Sequence, residues 1–114
     1  MKLVITIFAL FLVLLSSNCY PAMQRAEELV WSCTDETPSS RVFCMAYMAG
    51  MLDAYTVISG LYPQAKFACI PETGISGEQV MNIFIKWVKD HPEKQHIPAR
   101  TIVLLSLRDA FPCK

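Results

Sequence analysis

This chain has little of what enzymes use. No glycine-rich phosphate loop, dinucleotide fingerprint or G-x-S-x-G elbow occurs in its 114 residues. That removes the usual signs of nucleotide, nicotinamide and serine-hydrolase chemistry. No C-x-x-C and no close Cys/His pair is present, which argues against a zinc site. The two histidines, His91 and His96, stand five residues apart across Pro92, a spacing that matches no recognised metal site. Neither a metal nor a cofactor is expected. Ten basic residues against ten acidic ones leave no net charge, so nothing favours nucleic acid or an anionic membrane surface. There is no internal repeat, low-complexity stretch or interdomain linker. The expectation is a protein that is not an enzyme and works by binding another protein.

What is present begins with an export signal. Lys2 is followed by an almost unbroken apolar run from Leu3 to Leu15, then by Ser16, Ser17 and Asn18. Such a run is too short to span a bilayer and has the flanks of a secretory signal. Residues 1–22 read as a signal peptide, with Ala22 the best residue before the cut and Met23 the working start. Cys19 is not in a lipobox, because Ser16 and Asn18 stand where leucine and a small residue are required. Removal leaves 114 − 22 = 92 residues, one domain over 23–114 with little material for a self-sufficient core. The mature charge becomes 9 − 10 = −1, since Lys2 is lost. Cys33, Cys44, Cys69 and Cys113 remain, an even set suited to two disulfides in an oxidising compartment.

The mature chain predicts an all-α fold, a small disulfide-stapled bundle of about four helices. The first runs from about Gln24 to Ser32, with Ala26, Leu29 and Val30 as its apolar stripe. A turn over Thr34–Ser40 leads to a second helix over about Ser40–Ser59, apolar on nearly every face and therefore expected at the centre of the fold. Gly50 inside it costs about 1 kcal/mol against alanine, which a close helix crossing would explain. Gly60 to Gly74 reads as a loop. Ser76 and Gln79 form a capping box for the third helix, which presents Val80, Phe84, Trp87 and Val88 and ends near Asp90. The fourth runs from about Pro98 to Ala110. Short connections favour an up-down arrangement, which would bring Cys33 to Cys44 and Cys69 to Cys113.

Few residues offer chemistry. Asp53 is the one acidic residue within the apolar second helix, and a buried carboxylate there would need a partner. No histidine, serine or second carboxylate accompanies it at helical spacing, so a structural carboxylate is expected rather than an acid–base group. Met45, Met48 and Met51 follow a core spacing, part of which is available to a subunit interface, with Tyr47 and Tyr55 at its edge. The stretch Lys89, Asp90, His91, Pro92, Glu93, Lys94, Gln95, His96 is the most polar in the mature chain. It reads as an exposed loop, and loops on a rigid scaffold are frequent binding elements.

The order Cys33, then C-M-A-Y-M-A-G-M-L-D-A from Cys44, Cys69-Ile70-Pro71, W-V-K-D-H-P-E, Pro98-Ala99 and Phe111-Pro112-Cys113 resembles the Rap/Tai immunity proteins of type VI secretion. The resemblance covers essentially the mature chain. It implies a small periplasmic helical protein, often a homodimer, that blocks the active-site cleft of a peptidoglycan amidase effector. Tyr47, Gly50 and Asp53 match the framework motif, and the four cysteines match the stapling positions. The contact surface varies in such proteins, so Lys89–His96 as partner-binding residues is a separate expectation. The alternative is a non-immunity periplasmic module, protein-binding or chaperone-like, on the same stapled helices.

Overall fold

A computed structural model of the chain describes residues 1, 3–7 and 24–114. Residues 3–7 are helical. Most of the expected signal peptide, with Cys19 and the cut after Ala22, lies outside the described residues. From residue 24 onward the fold is all-α. Its helices are α1 (Ala26–Thr34), α2 (Pro38–Leu61), α3 (Gly77–Asp90) and α4 (Ala99–Ala110), with single 3₁₀ turns at Pro63–Ala65 and Pro92–Lys94.

Local chemistry sets these boundaries. The Arg25 amide donates to the Glu28 carboxylate at 3.0 Å, closing the first turn of α1. Pro38 opens α2 two residues earlier than expected, because proline lacks the amide that a first turn leaves unpaired anyway. Ser76 caps α3 as its sequence predicts: the Gln79 amide donates to Ser76 Oγ at 3.1 Å, and the Ser76 amide donates to Gln79 Oε1 at 2.8 Å.

One core joins the four helices. Leu29 of α1, Met48 of α2, Val80 and Phe84 of α3, and Ile102, Val103 and Leu107 of α4 have no solvent exposure. Within it the buried Ser106 hydroxyl donates to the Val103 carbonyl at 2.8 Å.

The topology departs from a simple up-down bundle. There the starts of the first and last helices would lie at opposite poles. Here they pair through a short antiparallel bridge between Arg25 and Pro98. The Ala26 amide donates to the Ile97 carbonyl at 2.9 Å, and the Ala99 amide to the Gln24 carbonyl at 2.8 Å. These bonds satisfy helix-start amides that would otherwise need a side-chain cap. They also explain why Pro98 precedes α4 instead of opening it.

Two disulfides close the frame: Cys33–Cys44 joins α1 to α2, and Cys69–Cys113 joins the α2–α3 loop to the C-terminus. Their sequence separations of 11 and 44 residues correspond to about 3 and about 4 kcal/mol in the chain-entropy model. The second bond is seated by the Cys69 amide, which donates to the Phe111 carbonyl at 2.7 Å.

Candidate partner-binding surface

The long helix α2 is not enclosed. Only Cys44, Met48 and Tyr55 along it are buried. Val42 is 68 % exposed, Val57 58 % and Leu61 70 %, with Phe43, Ile58 and Tyr62 also open. This corrects the expectation of a central helix. A helix apolar all round is buried only if the rest of the chain can cover it. Here α1, α3 and α4 line one side and leave the other open. By length and composition α2 is apolar enough to cross a membrane. Its disulfide to α1 and its packing on the core instead hold it within the domain.

The framework residues change meaning on this background. Gly50 is exposed, and a Cβ added there would meet nothing within 4 Å. Among the described residues no helix crosses it closely, which corrects the explanation offered for its cost. Asp53 is exposed on the same outward side, so it is neither an acid–base group in a cleft nor a structural carboxylate in the core. Tyr55 is no surface edge: its hydroxyl donates to the Ala68 carbonyl and accepts from the Ala68 amide at 2.9 Å, both groups buried. Its ring meets Phe67 at 4.7 Å between centroids. The loop after α2 is thereby fastened back along that helix. Tyr47 is half-buried, with Phe43 6.3 Å away between ring centroids. Burial pushes the Tyr47 hydroxyl pKa up, and the nearby positive charge of Arg100 opposes that shift.

Beside Tyr47 runs an open groove of about 470 Å³. Its floor is Met51 of α2, Phe67 of the following loop, and Leu104 and Leu105 of α4; Arg100 and Arg108 stand on its α4 wall. Sequence reasoning missed this feature. The available signal was Arg100, Leu104 and Arg108 at spacings of four, which places them along one face of α4.

The polar stretch 89–96 is only partly the free loop it resembles. Lys89, Asp90, Glu93 and His96 are exposed, whereas His91, Lys94 and Gln95 are half-buried. The His91 ring stacks on Trp87 at 4.0 Å between centroids, and Lys94 Nζ sits 5.4 Å from the centre of the Trp87 ring. The Trp87 indole N–H donates to Asp109 at 2.8 Å. That bond, helped by Arg108, holds the Asp109 carboxyl below the usual carboxylate range. The Glu27 amide donates to the Gln95 carbonyl at 3.1 Å, tying the stretch to α1. The segment is thus the end of α3 and a braced turn, with four polar side chains outward.

No group of three or more His, Cys, Asp or Glu side chains placed to hold a metal ion occurs among the described residues. What the surface offers is association: apolar faces, two guanidinium groups and a rigid frame.

A family model for Rap1a immunity proteins matches residues 25–113. The chain belongs to the Rap1a immunity protein family. As an immunity protein of a secreted effector, it acts by binding that partner. The match runs from the cap of α1 to the last cysteine, so it takes in the whole stapled frame. No curated protein and no solved structure matches the chain.

Proposed function

We propose that the protein is the periplasmic immunity partner of a peptidoglycan amidase effector delivered by type VI secretion, and that it blocks the amidase active-site cleft. The reading rests above all on the family match over the stapled domain. The exposed apolar surface of α2 supports it, because a chain that acted alone would gain stability by covering such surface. Residues 1–22 export the chain, residues 23–114 act in the periplasm, and oxidation there closes both disulfides. The mature domain performs no catalysis and stays clear of membrane and nucleic acid.

Two surfaces contribute. The outward side chains of the braced turn, Lys89, Asp90, Glu93 and His96, approach the effector together with His91, Lys94 and Gln95 behind them. The outward face of α2 pairs with its copy in a homodimer. Gly50 gives room for a second backbone, and Val42, Val57 and Leu61 flank it with apolar surface.

The test is protection of living cells. A periplasm-targeted amidase, taken from the reading frame beside this chain's gene, should lyse bacteria that lack the immunity protein. Full-length chain should restore growth, whereas a version without residues 1–22 should not. Lysis in the presence of exported, oxidised full-length chain would reject the immunity role for that amidase.

A further inference from the structure

The two disulfides stand in opposite surroundings. Cys33 and Cys44 belong to the buried core, with 8 % and 0 % exposure. Cys69 and Cys113 are both open to solvent. The segments that carry the open bond are nonetheless held in place by other contacts. On the loop side, Ala68 is fully buried, with both its backbone polar groups bonded to the Tyr55 hydroxyl. Ile70, on the other flank of Cys69, packs against the core. Phe111 does the same on the C-terminal side, and its amide donates to the Leu107 carbonyl at 2.9 Å. To open a disulfide, a thiolate must reach one of its sulfurs. The open pair offers that approach in the folded chain, whereas the core pair must first be uncovered by local unfolding.

We propose that Cys69–Cys113 is a thiol-exchange site of the folded protein whose reactant is a dithiol, and that Cys33–Cys44 is closed to the same reagent. The step balances between these two partners. One thiolate of the dithiol attacks a sulfur of the bond, forms a mixed disulfide and expels the other cysteine as a thiolate. The second thiol of the reagent, on losing its proton, attacks the mixed disulfide. The reagent leaves as a disulfide, and the chain keeps two electrons and two protons as the Cys69 and Cys113 thiols. Opening the bond removes a closure over a sequence separation of 44 residues and releases residues 112–114. The helices stay in place. Ala68, Ile70 and Phe111 keep their own contacts with the core, and Cys33–Cys44 still joins α1 to α2. The exchange does not depend on which effector the chain binds.

The experiment exposes the oxidised chain to graded dithiothreitol without denaturant and quenches the reaction with iodoacetamide. Peptide mass spectrometry then locates the label, with circular dichroism followed in parallel. Cys69 and Cys113 should be labelled together, at a rate proportional to the dithiol concentration. Cys33 and Cys44 should be labelled about a hundredfold more slowly, since their reaction waits on opening of the core. The helical signal should persist while only the first pair is open. Labelling of both pairs at rates within about threefold of each other, or of Cys33 and Cys44 first, would overturn the proposal. So would a Cys69–Cys113 rate that does not change with dithiol concentration, because unfolding would then be limiting. The variant C69S/C113S tests the core's independence of the bond. It should keep its helical signal and leave Cys33–Cys44 as slow to react as in wild type. Loss of that signal would overturn the claim that the helices hold without the bond.

Discussion

The helices α3 and α2 are both built largely of apolar residues, yet they place them differently. Along α3, Val80, Met81, Phe84, Trp87 and Val88 face the core, while Glu78, Lys86 and Lys89 face water. Along α2 the buried set is Cys44, Met48 and Tyr55, and many other apolar side chains look outward. The first arrangement is what a stable fold requires. The second exceeds it, and outward apolar surface on a domain this small is material for association. Stability is concentrated in α3 and its neighbours, and the surfaces proposed for recognition lie on the outward face of α2 and the turn after α3.

Substitutions break or sharpen this contrast. Phe84→Ala in α3 should cost about 3–5 kcal/mol, the range for emptying a filled aromatic site, measured by urea unfolding of the oxidised mature chain. Tyr55→Phe, on the buried side of α2, should cost about 1–3 kcal/mol, since both polar backbone groups of Ala68 are left without their partner. A cost near zero would mean that water replaces the hydroxyl. Ser76→Ala should cost about 1 kcal/mol by removing the α3 cap, again by urea unfolding.

The smallest expected effect on the protomer is the most telling one. V57K/L61K, on the outward side of α2, should leave its stability within about 0.5 kcal/mol of wild type, as surface changes usually do. Sedimentation should nevertheless show that the homodimer proposed above has come apart. Loss of several kcal/mol in the protomer would erase the distinction between the two helices.

A pH scan adds a weak, signed contribution. Asp109 titrates below the usual carboxylate value because the Trp87 indole and Arg108 favour its charged form. Its contribution is present above the unfolded value of about 3.9 and is lost as pH falls through the lower folded value. Asp109→Asn should flatten the acid limb of the stability profile, and an unchanged limb would show that the carboxylate contributes nothing there.

Much of the frame was legible in the sequence. The capping box at Ser76 and the spacing of Val80, Phe84 and Trp87 identify α3 because local propensity and tertiary packing agree there. The cysteine pairs are those an up-down arrangement would bring together, although the pairing of the α1 and α4 starts departs from that arrangement. The α1–α4 bridge was not legible, since backbone pairing between residues 24–27 and 95–99 leaves no side-chain pattern. For α2 the burial was misjudged because periodicity reports which faces are apolar, and not whether enough chain remains to cover them. The groove was missed for a related reason: Arg100, Leu104 and Arg108 share one face of α4, but nothing in the sequence places Met51 and Phe67 beside that face.

The most direct test of the functional conclusion is a titration of peptidoglycan cleavage. The product of the reading frame beside this chain's gene, assayed as a peptidoglycan amidase, is held at fixed concentration while oxidised mature protein is added. Cleavage should fall to background at about one chain per amidase, as expected for tight stoichiometric binding. Cleavage that persists undiminished at a large excess of the folded protein would contradict it.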